Sequence, residues 1–172
     1  MDVTNRVDIV EVGPRDGLQN DAADLTVEQK VEFIHRLDAA GVRRMETGSF
    51  VSPRAVPKMA DSAEVFRRAN KEKPSSRIAL ALNEKGMRRA IDAGADEVSF
   101  VLVAGEGFGQ RNQRMSPQET ADMLVQCAPL AHDANIPPVS YTHLRAHETS
   151  LHLVCRLLLE KGADLNLSLI HI

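Results

Sequence analysis

Twice in this chain an amphipathic stretch closes on a similar phrase and gives way to a short apolar run. Asp38-Ala39-Ala40-Gly41 precedes Arg43 to Thr47, and Ile91-Asp92-Ala93-Gly94 precedes Glu97 to Val103. A glycine in that place fits the left-handed residue that ends many helices. Helix, glycine, strand, repeated, is the rhythm of a βα succession, which folds into a parallel sheet or barrel. The remaining pattern keeps the same beat. Apolar runs at 7–12, 43–47, 78–82 and 97–103 read as strands, and Ile136 opens a fifth. The run from Glu97 to Val103 is almost uninterrupted, as expected of a strand covered on both faces. Helical segments fall between the runs, giving an α/β chain of four βα units.

Local signals sharpen these segments. Thr26 with Gln29 three residues on has the form of a capping box. After it, Val27, Val31, Ile34, Leu37 and Ala40 recur at helical spacing and define one apolar face. Pro57 limits the start of a helix expected over about 55–70, and Pro74 marks the turn that follows. Asn83 stands at the exit of the strand at 78–82, before a helix over 84–93. Ser116, Pro117 and Glu119 supply N-cap, N1 and N3 of a helix running to about Ala134. Gly105 to Gly109 is read as a glycine-rich loop leading to Arg111 and Asn112. It matches neither the dinucleotide nor the P-loop pattern.

Composition excludes several classes. Of 172 residues, 43% are hydrophobic and 26% charged, which suits one domain with a real core. The formal net charge of -3 gives no reason to expect nucleic acid or an anionic membrane as a partner. Aromatic residues make up 3% and tryptophan is missing, so base-stacking platforms are not expected. No apolar run is long enough to span a bilayer. The stretch Met1 to Arg6 has no apolar core for secretion, and Cys127 and Cys155 make no disulfide framework. A cytoplasmic setting is expected. His35 and His132 fall on helices and Cys127 on the face of another, so they read as surface and core residues. Arg67-Arg68 and Arg88-Arg89 read as solvated helix faces.

The chemistry is carried by Glu11-Val12-Gly13-Pro14-Arg15-Asp16-Gly17-Leu18-Gln19-Asn20. This stretch follows the first apolar run, so Arg15 and Asp16 sit where a strand empties into a loop. In a (β/α) barrel that is the catalytic rim. A carboxylate there can ligate a hard divalent cation, and a guanidinium can steady a developing oxyanion. Arg-Asp-Gly alone would serve equally well as a surface turn with an ion pair. Glu46, at the end of the second apolar run, points to the same rim.

The whole decamer resembles the signature of the 3-hydroxy-3-methylglutaryl-CoA (HMG-CoA) lyase family, among the metal-dependent lyases and synthases built on TIM barrels. Met45-Glu46-Thr47-Gly48-Ser49-Phe50-Val51-Ser52-Pro53 is similar to a second family segment, with Gly48 where threonine is usual. Leu82-Asn83 and Arg111-Asn112 resemble two further family pairs. The resemblance covers about residues 6–137 and implies the N-terminal half of a (β/α)8 TIM barrel. It implies that Asp16 ligates a divalent cation, Mg²⁺ or Mn²⁺, and that Arg15 contacts the acyl-CoA carbonyl and stabilises an enolate. Glu46 is implied in proton transfer, with Gln19 and Ser49 as substrate-binding residues. The implied reaction is retro-Claisen cleavage of HMG-CoA to acetoacetate and acetyl-CoA, with a homodimer as the implied full-length assembly. The alternative within enzymes is an isopropylmalate- or homocitrate-synthase-like condensation, which the Gly13-Pro14 context opposes. The family's His-x-His, its later metal-binding asparagine and its Gly-Cys-Pro loop have no counterparts here. A barrel of this type needs about 250 residues and eight strands. This chain by itself is therefore expected to be inactive.

From Val139 the character of the chain changes. Val139 to Thr149 resembles the translation of a transposase-type sequencing adapter, and Leu167 to Ile172 resembles its mosaic end. Residues 1–138 are therefore expected to form the partial barrel, and 139–172 a non-native tail that is no domain. The tail holds two other patterns. His143 and His147 are spaced like a metal pair on a helix, and Leu157 to Asn166 resembles the closing helix of an ankyrin repeat. The second would suggest a small binding module, although about three repeats are needed for stability.

Overall fold

A computed structural model of the chain describes residues 8–70, 74–103, 105–136 and 138–143. The elements follow one another as α1 (Val27–Ala39), β1 (Arg44–Ser49), α2 (Ser62–Ala69), β2 (Ser76–Ala81), α3 (Glu84–Asp92), β3 (Glu97–Val103), α4 (Glu106–Asn112), α5 (Pro117–Asp133) and β4 (Pro138–His143). The four strands form one parallel sheet in chain order, β1-β2-β3-β4. Sequential parallel neighbours with helices between them are the winding of a barrel wall.

α1, α3 and α5 are where their signals place them. At the start of α1 both halves of the capping box form: Gln29 N donates to Thr26 Oγ1 and Thr26 N to Gln29 Oε1. Ser116 and Glu119 do the same for α5. Gly41 and Gly94 adopt φ of +90° and +83° after α1 and α3, a conformation open to glycine at little cost. The segment expected to be helical over 55–70 divides into a 3-10 turn, Pro57–Met59, and α2.

One face of the sheet carries the helices. Ala79, Ala81, Val98, Phe100 and Leu102 pack there against Phe66, Met87, Ala90, Leu124, Cys127 and Ala131. A second cluster joins Ile34 of α1 and Val65 and Ala69 of α2 over Met45. Burying such side chains supplies most of the drive to fold, about 1.5–3 kcal/mol for each large one. The opposite face is layered. Arg44, Ser76 and Glu97 are hydrogen-bonded at its N-terminal end. Glu46 and Ser99 meet above them, and Leu80, Val101, Val103 and Leu82 cluster higher still. Layers of side chains on that face are how barrel interiors are filled.

Three readings need correction. The expected strand over 7–12 is, among the described residues, a single parallel bridge from Glu11 to Met45. Glu11 N donates to Arg44 O and Glu46 N to Glu11 O, after which the backbone coils away. Ile9 is 80% exposed, so this run buries too little apolar surface to hold a longer ladder. Of the stretch 105–109, Gly105 caps α4 and residues 106–109 form its first part rather than a loop. Gly109 lies so close to Met115 O that a Cβ would stand 2.4 Å from it, which requires glycine there. The last strand starts at Pro138 rather than Ile136, which is buried ahead of it. Residues 139–143, set aside as tail, pair in register with β3 from Ser99↔Val139 to Val103↔His143. Val, Tyr and Thr suit a strand, and the edge of β3 offers unpaired backbone groups to meet it. His147, Cys155 and the ankyrin-like stretch lie outside the described residues. Among those residues, no helix is long and apolar enough to cross a membrane.

Candidate active site

The signature decamer is wound into a five-residue π-helical turn, Gly13–Gly17, which passes straight into a short helical turn, Leu18–Asn20. Asp16 N and Gly17 N both donate to Val12 O, at 2.7 and 3.3 Å. Wide turns of this kind recur at functional sites. Pro14 is buried at the start of the turn and lacks the N–H that would be unpaired there. The neighbouring connection pins the loop that follows. Lys58 Nζ donates to the carbonyls of Asp21 and Ala23, and Lys30 Nζ donates to Lys58 O and to both oxygens of Asp61.

Arg15 reaches from this turn over the C-terminal half of β1. Its Nε donates to Glu46 Oε2 at 2.7 Å, and its Nη2 pairs with the same oxygen. Its Nη1 donates to Asp16 Oδ1 at 2.7 Å. One guanidinium therefore holds two carboxylates. Glu46 is fully buried, whereas the Asp16 side chain is 50% exposed. Ser99 of β3 donates Oγ to Glu46 Oε1 at 2.7 Å. A buried carboxylate is tolerated only when paired and hydrogen-bonded in this way. Glu46 is thus fixed from two sides, and Asp16 presents an oxygen to solvent.

Of the residues singled out in the sequence, the fold brings Arg15, Asp16 and Glu46 into direct contact. Gln19 sits half-buried on the adjoining turn. Ser49 ends β1, buried, with its backbone N–H donating to Ser62 Oγ at 3.1 Å and its own Oγ unpartnered. Ser99 was passed over. The available signal was a hydroxyl inside an otherwise apolar strand covered on both faces. Asn83 does a structural task as N-cap of α3, accepting from Gly86 N at 2.9 Å. Cys127 is buried among apolar side chains, and burial pushes its thiol up to about 11, so it is core and no nucleophile. His132 is 91% exposed on α5. Arg67, Arg68 and Arg88 lie on solvated faces in ion pairs, and Arg89 stacks over the Phe50 ring.

A divalent cation asks for hard oxygen donors. Asp16 fits as one, being half exposed with a single oxygen engaged by Arg15. Among the described residues no group of three His, Cys, Asp or Glu side chains converges there or elsewhere.

The family model described as HMGL-like matches residues 6–172. The chain belongs to the HMGL-like family. Its match includes the stretch from Val139 onward that the sequence set apart. The chain is 42% identical over 125 residues to the 3-hydroxy-3-isohexenylglutaryl-CoA/hydroxy-methylglutaryl-CoA lyase of Pseudomonas aeruginosa, covering 73% of this chain and 42% of that protein. It is 42% identical over 136 residues to the mitochondrial hydroxymethylglutaryl-CoA lyase of Gallus gallus, covering 79% of this chain and 46% of that one. A solved HMG-CoA lyase from Brucella melitensis superposes with a TM-score of 0.83 at 30% identity, over 95% of this chain and 60% of that one. The HMGL-like chain thus spans less than half the length of the curated relatives it matches. Its α/β wall is the corresponding part of their TIM barrel. Relatives in the family include cytoplasmic and mitochondrial forms.

Proposed function

We propose that the complete protein of which this chain is the N-terminal portion cleaves HMG-CoA to acetoacetate and acetyl-CoA. The observation that carries this reading is the Arg15 guanidinium clamped between a buried Glu46 and a half-exposed Asp16 on the strand-end rim. The names of the relatives support the same reaction class.

Retro-Claisen cleavage removes a proton from a tertiary hydroxyl, breaks a carbon–carbon bond and leaves negative charge on a thioester enolate. Arg15 is the group suited to that charge. Its guanidinium is held in place before any substrate arrives, so little reorganisation is needed as charge develops. Glu46 is a fixed acceptor within reach of Arg15, and its second oxygen is committed to Ser99. Glu46 would take part in proton transfer from this fixed position, with Oε2 held by Arg15 and Oε1 by Ser99. Asp16 would hold a divalent cation, Mg²⁺ or Mn²⁺, which when bound lowers the pKa of a coordinated hydroxyl. Gln19 and Ser49 would contact substrate, with the unpartnered Ser49 Oγ the stronger of the two. This chain alone is expected not to turn over. We further propose that residues 139–172 are not native to the gene, with 139–143 recruited to the sheet edge by their strand propensity.

The test is to amplify the source gene with adapter-free primers across Pro138–Val139, express the complete protein and assay it. Release of acetoacetate from HMG-CoA supports the reading. Condensation of acetyl-CoA with an α-keto acid, and no cleavage of HMG-CoA, would replace it with the synthase reading. A native reading frame running through Val139 to Ile172 would overturn the origin assigned to the tail.

A further inference from the structure

Glu11 opens the signature stretch, and it joins the strand that carries Glu46 to the turn that carries Arg15 and Asp16. On one side the join is made by backbone. Glu11 N donates to Arg44 O at 3.0 Å, and Glu46 N donates to Glu11 O at 2.8 Å. These two bonds flank Met45 and make up the one bridge that the run at 7–12 forms among the described residues. They set the height of the turn against β1. On the other side the join is made by the side chain. Glu11 Oε1 accepts from Gly13 N at 2.6 Å, at the first residue of the π-helical turn.

The first residues of a helical turn have N–H groups with no acceptor inside it. Here each is accounted for. Arg15 N, Asp16 N and Gly17 N donate to Val12 O at 3.1, 2.7 and 3.3 Å, and Pro14 has no N–H. The N–H of Gly13 is the remaining donor, and the Glu11 carboxylate takes it. A bond to a carboxylate is shorter and stronger than one between neutral groups. Gly13 makes room for this cap. Its φ lies outside the left-handed region, so the backbone does not demand glycine. A Cβ there would stand 2.8 Å from Glu11 Oε1 and 3.5 Å from the Phe33 ring. The missing side chain is the space that the carboxylate uses.

We propose that Glu11 is a positioning residue: its backbone fixes the signature turn to β1, and its carboxylate fixes the first residue of that turn. The Arg15 guanidinium is thereby laid against Glu46 before substrate binds. The proposal rests on the lyase reading above and extends it to a residue that acts through Arg15. Without the carboxylate, the Gly13 N–H loses its acceptor and the turn is free to pivot about Val12, two residues before Arg15. Arg15 serves charge that develops in the transition state, so its displacement falls on kcat rather than on KM.

Two readouts test this. The first is the Arg15 Nε–H signal in the full chain labelled with ¹⁵N-arginine, identified by its loss in Arg15→Lys. The bond to Glu46 should protect that proton from exchange with solvent. Glu11→Met and Gly13→Ala should speed its exchange at least about tenfold, the sign of a bond that opens locally. Glu11→Gln keeps an acceptor oxygen at the same reach and should retain most of the protection. Gly13→Ala leaves Glu11 in place and improves helix propensity, so it carries the test if Glu11→Met does not fold, which thermal melting shows. The second readout is steady-state kinetics of the complete protein with HMG-CoA. Glu11→Met and Gly13→Ala should lower kcat by about 10–10²-fold, as small misplacements of a catalytic group do, with KM little changed. Glu11→Gln should recover most of kcat. Unchanged Arg15 protection, or unchanged kcat, in the folded variants would overturn the proposal and leave the lyase reading intact. Lack of a protected Arg15 signal in wild type would also overturn it. Loss of protection in Glu11→Met and Gly13→Ala, with a complete protein that does not cleave HMG-CoA, would keep Glu11 as the residue that positions Arg15 and remove the lyase reading.

Discussion

Arg15 and Glu46 stand 31 positions apart in the chain and meet through a hydrogen bond of 2.7 Å, with the carboxylate fully buried and the guanidinium largely so. The same guanidinium holds Asp16, so one side chain sets the geometry of the whole site. Replacing it should therefore affect chemistry more than binding. In the complete protein, Arg15→Met is expected to lower kcat by about 10²–10³-fold, the usual loss when one donor to a developing oxyanion is removed. Arg15→Lys should recover little, because an ammonium cannot span two carboxylates as a planar fork does. Steady-state kinetics with HMG-CoA decides this. A kcat unchanged in Arg15→Met would remove Arg15 from the mechanism.

Ser99 fixes the other oxygen of Glu46 at 2.7 Å from inside β3. Ser99→Ala leaves a buried carboxylate oxygen without its donor, which costs about 1–3 kcal/mol. Urea denaturation should show the midpoint falling with an unchanged slope. Ser99→Thr keeps the hydroxyl and should retain most of the stability, provided β3 accepts the added methyl. Equal losses in both variants would mean that packing, not the hydrogen bond, sets the cost.

Much of this was legible in the residues. The capping boxes at Thr26 and Ser116, the glycines at 41 and 94 and the apolar face of α1 are local rules, and each holds. Arg15 and Asp16 could be marked because they follow one apolar run and Glu46 because it lies in the next, which a parallel arrangement sets side by side. What failed were features decided by neighbours in space. The run at 7–12 has strand-like residues but only Met45 and its neighbours to pair with, so it stays a bridge. Gly107 and Gly109 have low helix propensity, yet they lie in α4, and the close approach of Gly109 to Met115 O explains why glycine stands there. Ser99 and the Lys30–Asp61 contact depend on pairings across many residues, which no local pattern encodes.

Gly48 sits where the family segment that this stretch resembles usually has threonine, and its surroundings fit glycine. A Cβ there would lie 2.8 Å from Ser62 Oγ and 3.0 Å from Ser62 Cβ. Ser62 uses that space to donate to Met59 O and to accept from Ser49 N. Gly48→Thr should destabilise by about 1–3 kcal/mol through overpacking. Gly48→Thr combined with Ser62→Ala should recover part of it, a coupling that a double-mutant cycle measures. Strict additivity of the two changes would show that the residues do not compete for the same space.

Cys127 lies in the helix-side core, with its thiol pushed up to about 11 by burial and, secondarily, by the Glu84 charge. Alkylation requires the thiolate, so iodoacetamide at pH 8 should leave Cys127 of the native protein unmodified and label it only as urea unfolds the fold. Peptide mass spectrometry after proteolysis, across a urea series, checks this through the fragment containing Cys127. Rapid labelling without denaturant would show that α5 opens locally far below the global transition.

Asp38 and Arg77 close the N-terminal end of the sheet, away from the site. Arg77 is fully buried on β2, and its Nη2 lies 2.5 Å from Asp38 Oδ2 at the end of α1. Ser75 donates to Asp38 Oδ1 at 2.6 Å. Burial works to raise the Asp38 carboxyl, but hydrogen bonds from Arg77 and Ser75 outweigh it and hold the group below its ordinary value. A depressed carboxyl stabilises the folded state above its unfolded value of about 3.9 and loses that contribution as pH falls toward the lower folded value. Asp38→Asn should therefore flatten the acid side of the stability curve below about pH 4, measured by urea denaturation between pH 3 and pH 7. At neutral pH, Asp38→Ala leaves the Arg77 charge buried and unpaired and should cost about 3–5 kcal/mol. Asp38→Ala with Arg77→Met removes both charges and should cost less than Asp38→Ala alone. If the double variant is the less stable of the two, the network holds the fold by packing of the Arg77 stem rather than by compensation of its charge.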